Sequence, residues 1–159
     1  MATYSFVDTV ASIVGPGGAF PLGNGAGVAQ EGITFEHSDQ KNIVLTGADG
    51  SIMNSLNASM TGRIIVRLLK TSPVNFLLSN LYNFQRIGGA AFWGQNAITI
   101  SNLTLGDIIG ATEVAFVKFT PVTYATEGNV MDWEFSGYIV PELGPGIPGI
   151  TSNLPGQTL

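Results

Sequence analysis

Proton transfer, metal ligation and nucleophilic attack all need side chains that titrate or coordinate, and this chain offers few. Its single histidine, His37, follows Glu36 and lies two residues before Asp39. An imidazole between carboxylates is a start for proton shuttling or zinc binding. A zinc centre needs three or four protein ligands, however, and the chain has no cysteine to supply them. Thiolate nucleophiles and Cys-x-x-Cys redox pairs are excluded for the same reason. No serine sits in a Gly-x-Ser-x-Gly elbow, so a Ser-His-Asp relay through His37 has no scaffold. His37 reads as a surface histidine beside a turn.

Asp132 and Glu134 are two residues apart, so on a strand both carboxylates project from one face, as the acid pair of a glycosidase does. The residues between and beside them are Met131, Trp133 and Phe135. That alternation reads instead as the outward polar face of a half-buried strand. Trp93, Trp133, Phe116 and Phe119 could stack on sugars or bases, but at strand spacing they read as core. Gly23-Asn24-Gly25-Ala26-Gly27 lacks the Lys-Ser/Thr ending and the following helix of a phosphate loop. Gly47-Ala48-Asp49-Gly50 has one acid where a calcium loop needs several. Asn57-Ala58-Ser59 and Asn102-Leu103-Thr104 fit the glycosylation pattern, but no secretory signal accompanies them. The residues therefore assign no catalytic, cofactor-binding or metal-ligating position.

The elements that hold these residues belong to a chain of unusual composition. Only 11% of its 159 residues are charged, and 45% are hydrophobic, against roughly 25% charged in an average soluble domain. Mean hydropathy is +0.31. A spanning helix would need about 20 consecutive apolar residues, and Arg67, Lys118, Asp132 and many glycines interrupt every run. A transmembrane barrel would need export, and Met1 to Asp8 has neither the basic region nor the apolar stretch of a signal peptide. The apolar excess thus suits a surface covered by neighbouring subunits, with no membrane insertion. A net charge of -5 gives no basic footprint for gripping nucleic acid.

Twenty-one glycines, clustered with Asn and Asp between short apolar runs, punctuate the chain as antiparallel β proteins are punctuated. Phe6 to Val14, the turn Gly15-Pro16-Gly17-Gly18 and Ala19 to Leu22 predict a hairpin, with a loop at Gly23 to Gly27. Ile33 to Glu36 and Asn42 to Thr46 predict a second hairpin around Ser38 to Lys41, closed at Gly47 to Gly50. Thr61 to Thr71 is the clearest long strand. Ile64, Val66 and Leu68 alternate with Arg63, Ile65, Arg67 and Leu69, which predicts burial on both faces.

The period then changes. Ser72 as N-cap, Pro73 at the first helical position and Gly88-Gly89 as stop predict one helix over about 73–87. Val74, Leu77, Leu78, Leu81 and Tyr82 form its apolar stripe, with Asn75, Asn80, Asn83 and Gln85 elsewhere. Further strands are predicted at Ala97 to Ile100, Glu113 to Tyr124 and Val130 to Val140. The expected fold is all-β, antiparallel and sandwich- or barrel-like, with one flanking α-helix. It occupies one domain, 1–140, and the Pro/Gly-rich segment 141–159 is an extended tail.

Several stretches carry a resemblance. They are Tyr4 to Ile13, Gly15 to Gly18, Gly25-Ala26-Gly27-Val28-Ala29-Gln30-Glu31-Gly32-Ile33-Thr34, Gly47 to Gly50, and Arg67-Leu68-Leu69-Lys70-Thr71-Ser72-Pro73-Val74-Asn75, the last being the most specific. Over residues 1 to about 140 the chain resembles small structural proteins from the tail gene clusters of contractile-tailed phages and prophages. Within that setting it looks like a tail tube protein.

The resemblance implies a β-sandwich-like barrel with a flanking helix, and no enzymatic activity or cofactor. Six copies would join their sheets into a ring, and rings would stack into a hollow tube that conducts DNA. Partners would be the chain itself, the tail sheath, the tape measure, and baseplate and terminator proteins, with DNA only in transit. The place would be the virion tail, assembled in the host cytoplasm. Glu36, Asp132 and Glu134, on polar strand faces, are the candidates to face the lumen, where an acidic balance would let polyanionic DNA slide. Two alternatives stand beside this reading. One is a single-ring tail component, such as an initiator, completion or terminator protein. The other is a carbohydrate-binding adhesin module built on Trp93 or Trp133.

Overall fold

The structure, a computed structural model, describes residues 9–22, 28–102, 105–128 and 130–144. The expected loop at Gly23 to Gly27, the start of the first strand at Phe6 to Asp8, and the tail beyond Gly144 lie outside the described residues.

Strands β1 (Thr9–Gly15) and β2 (Gly18–Pro21) form the predicted first hairpin. Gly17 holds φ +99° in its turn, a conformation open to glycine because it has no Cβ. The predicted second hairpin does not form. Strand β3 (Val28–His37) pairs with β6 (Thr61–Leu69), and β4 (Asn42–Thr46) folds back on β5 (Ile52–Leu56). The turn chemistry explains the swap. Asp49 Oδ1 accepts hydrogen bonds from the Ser51 amide at 3.0 Å and the Ser51 hydroxyl at 2.7 Å, and Gly50 takes φ +85°. Gly47 to Gly50 is therefore the hinge of a hairpin rather than its end. Strand β3 is freed to place Phe35 opposite Ile64 and Ile33 opposite Val66.

Helix α1 (Val74–Gly88) stands where the period change predicts it. The Ser72 hydroxyl accepts the Val74 amide at 3.3 Å, Pro73 precedes the first helical residue, and Gly89 turns the chain away at φ +66°. Val74, Leu78 and Leu81 are buried as predicted, but so are Asn75 and Gln85, which the stripe left outside. Leu77, counted in the stripe, is substantially exposed. The buried amides are tolerable because each is hydrogen-bonded. Asn75 Nδ2 donates to the Leu69 carbonyl at 2.8 Å, and Asn75 Oδ1 accepts the Trp133 indole N–H at 3.0 Å. Gln85 and Asn96 exchange reciprocal bonds of 2.6 and 2.9 Å.

After the helix come β7 (Asn96–Asn102), β8 (Asp107–Lys118) and β9 (Val130–Glu142). Strand β8 lies earlier than the predicted Glu113 to Tyr124. The turn at Gly106, whose amide donates to the Asn102 carbonyl at 2.8 Å, sends the chain straight back along β7. Strand β9 runs two residues past Val140, pairing Pro141 with Ile109 and Glu142 with Ile108.

Seven strands make one sheet in the order β2-β1-β7-β8-β9-β6-β3, every pair antiparallel, and β4-β5 stands apart as a two-stranded ribbon. Core residues occupy one face only. Gly62, Ile64, Val66 and Leu68 of β6 are buried, whereas Arg63 and Leu69 are exposed and Ile65 and Arg67 half-buried, so β6 is covered on one side rather than two. Six strand spacings of about 4.8 Å make a flat sheet far wider than one helix of roughly 10 Å. Yet Phe20 on edge strand β2 and Ile33 and Phe35 on edge strand β3 pack against the same cluster as Leu78, Leu81, Trp133 and Phe135. The sheet bends its edges around that core. Two register shifts in β8 help it do so, the first at Glu113, which takes φ +53°, since a bulge increases local bend and twist.

Candidate functional site

The uncovered face of the sheet collects the charged residues. Strand alternation places Glu36 on β3, Arg63 and Arg67 on β6, and Asp132 and Glu134 on β9 there, and the register shift after Phe116 adds Lys118 of β8. Cross-strand register then decides who meets whom. Glu36 lies opposite Arg63, Arg67 opposite Asp132, and Glu134 opposite Lys118. Arg63 forks between two strands: its Nη2 donates to Glu36 at 2.8 Å and its Nη1 to Glu134 at 3.0 Å. The Glu36 hydrogen bond, with the charges of Glu134 and Glu36, holds the Arg63 guanidinium even more firmly protonated than usual. Arg67 Nε stands 3.7 Å from Asp132.

The three predicted acids are thus brought to one face, spread over β3 and β9 on either side of β6. The sequence reading missed their arginine partners. Arg63 and Arg67 were legible as one side of β6, but pairing needs the order β3-β6-β9, which local sequence does not show. On this face Glu36, Asp132 and Glu134 stand beside basic residues rather than bare.

The other residues singled out for chemistry fall elsewhere. Trp133 is fully buried, with Phe116 and Phe119 rings against it at 6.1 and 5.2 Å. Trp93 packs edge-on to Tyr82 at the border of the core. Neither tryptophan forms an open stacking platform. His37 ends β3, where its Nδ1 is buried without a hydrogen-bond partner. Among the described residues no three His, Asp or Glu side chains gather as metal ligands, and no helix is long and apolar enough to cross a membrane.

A second feature escaped the sequence reading. The β4-β5 ribbon leaves Ile43, Val44, Leu45, Ile52, Met53 and Leu56 at least half exposed. Ile43, Leu45 and Met53 fall on one side of the ribbon and Val44, Ile52 and Leu56 on the other, by register. Apolar side chains on both faces of a free ribbon are a liability in a monomer, since a lone two-stranded hairpin is marginal in water and large exposed apolar patches mark contact surfaces.

Sheet edges, an uncovered charged face and an apolar arm define a mostly antiparallel β protein equipped to associate. The model of the bacteriophage PhiTE tail tube protein family matches residues 1–144, and the chain belongs to that family. It is accordingly a phage tail structural protein and a virion component. No curated protein matches it in sequence. Among solved structures it is similar to a chain of the PVC sheath-tube complex, an extracellular contractile injection system in its extended state. That likeness has 14% identity and TM-score 0.49, covering 89% of this chain and 92% of the other. It is also similar to the tube-terminating cap of the anti-feeding prophage, with 9% identity and TM-score 0.49 over 91% and 95% of the two chains. A third likeness, to the PVC sheath/tube terminator, has 14% identity and TM-score 0.48 over 89% and 98%. Membership rests on the family match.

Proposed function

We propose that copies of this chain join edge to edge into rings, six to a ring, and that the rings stack into a hollow tube through which DNA passes. The observation that carries this reading is the apolar two-faced ribbon, which neighbouring copies would cover along a homopolymer. Head-to-tail contacts close into rings where the rotation allows it and otherwise propagate, as stacking requires.

Ring closure has its own support. Strand β3 is a sheet edge, and β8 pairs with β7 only as far as Val114, which leaves Ala115 to Lys118 bonded on the β9 side alone. A β3 edge from one copy laid along this part of β8 in the next would remove two exposed edges together. The strands β3, β6, β9 and β8 would then form one wall, with the charged face toward the lumen. Glu36, Asp132 and Glu134 are its acidic members. The outer surface would meet a tail sheath, and the ends would meet tape measure, baseplate and terminator proteins, assembly taking place in the host cytoplasm. No bond chemistry is required of any residue.

Leu45→Asp with Met53→Asp tests the reading, because these residues face each other across the ribbon and touch no core. The subunit should keep its melting temperature to within a few degrees, since exposed substitutions shift stability by about 0.5 kcal/mol or less. Sedimentation should show wild-type polymer and only small species for the variant. Undiminished polymerisation of the variant would remove the ribbon from the account.

A further inference from the structure

Arginine is the best phosphate ligand among side chains, because its planar fork matches two oxygens at once and it never loses its charge. A tube wall that repeats Arg63 and Arg67 in every subunit would offer DNA hundreds of such forks. Each phosphate neutralised adds to affinity, so a conduit lined with free arginines would retain its cargo. Arg63, however, is not free. Each terminal nitrogen of its guanidinium already donates a hydrogen bond, Nη2 to Glu36 at 2.8 Å and Nη1 to Glu134 at 3.0 Å, on the two strands that flank its own.

Stability explains the Glu36 half of the arrangement poorly, because exposed ion pairs commonly contribute between zero and about 1 kcal/mol and Arg63 and Glu36 are both about half exposed, at 46% and 58%, whereas Glu134 is more covered, at 19%. We infer that Glu36 and Glu134 mask Arg63, neutralising its guanidinium from both sides so that it grips the phosphates of DNA passing along this face only weakly. The inference rests on the reading of that face as the lumen wall. It also gives the two acids a more specific task than general repulsion. Arg67 has a looser arrangement, an ion pair with Asp132 at 3.7 Å and no hydrogen bond to it. With Arg63 neutralised in this way, the wall offers DNA less to hold.

The test compares binding of a fluorescent double-stranded oligonucleotide to full-length wild-type subunits and four variants at low salt. Glu36→Gln with Glu134→Gln uncovers Arg63. Asp39→Asn with Glu127→Gln removes the same charge away from the ion pairs. Adding Arg63→Gln to the unmasked pair removes the uncovered guanidinium, and Arg63→Gln alone removes the masked one. The unmasked pair should bind on the order of tenfold more tightly than wild type, with a steeper salt dependence. The charge control should match wild type, Arg63→Gln alone should bind no more tightly than wild type, and the triple variant should lose the gain.

An equal gain in the charge control would show that net charge alone acts, and the masking inference would fall. No gain in the unmasked pair, or a gain that survives in the triple variant, would also overturn it. The lumen reading has a separate measurement. Ser136→Cys, whose position lies opposite Arg63 on β9, is labelled in assembled polymer with a small maleimide and with one carried on a large polymer. Exclusion of only the large reagent supports an inward face, and equal labelling by both refutes it whatever the DNA result.

Discussion

Single residues here do their work by pairing polar groups where the core cannot tolerate loose ones. Gln85 on α1 and Asn96 at the start of β7 are both buried, and each amide supplies the other's donor and acceptor. Gln85 Nε2 also reaches the Pro16 carbonyl in the first hairpin turn at 3.2 Å. One side chain thus ties helix, hairpin and sheet together. Truncating it strands Asn96 without a partner, and an unsatisfied buried amide costs about 1–3 kcal/mol. Gln85→Ala should therefore lower unfolding free energy by about 2 kcal/mol or more in urea titration. A loss below about 0.5 kcal/mol would mean that water replaces the pair. Neither amide was legible as core from sequence, because burial of Asn and Gln depends on a partner 11 positions away.

At the scale of elements, the β4-β5 ribbon depends on its turn. The Ser51 hydroxyl, then its amide, bond the Asp49 carboxylate and hold its pKa below the ordinary value of 3.8. A carboxylate depressed in the folded state stabilises its turn fully above the unfolded value, and that contribution disappears as pH falls through the folded one. The Ser51 amide should accordingly keep its chemical shift from neutral pH down to about pH 4 and move toward the free value in stronger acid. A Ser51 signal insensitive to acid, or one that moves near neutrality, would contradict the assignment. The helix, the first hairpin and β9 were legible because their signals are local: a Ser-Pro start, a Gly-Pro-Gly-Gly turn and strict alternation around Trp133. The pairing of β3 with β6 was not. Its partners are separated by the entire ribbon, and Ser38 to Lys41 resembles a tight turn when only neighbouring residues are considered. The bulge in β8 left a trace, since core positions shift parity between Ile109-Ala111 and Val114-Phe116.

Across the whole molecule, one face of a bent sheet closes over a helix to make the core, and the other face and the ribbon are left uncovered. The low charge and high apolar content announced a covered protein, and the ribbon shows where the cover is missing. The three acids were legible as polar-face residues, whereas their neutralisation by Arg63 and Arg67 required the strand order. The central claim is that β3, β6, β9 and β8 of successive copies build a continuous wall around a channel. A cryo-electron microscopy reconstruction of the polymer formed by the purified full-length chain tests it most directly. The account predicts a hollow tube of stacked rings, β3 of each subunit beside Ala115 to Lys118 of the next, and Arg63 with its two glutamates facing the channel. A solid filament, or a tube with that charged face on the outside, would contradict it.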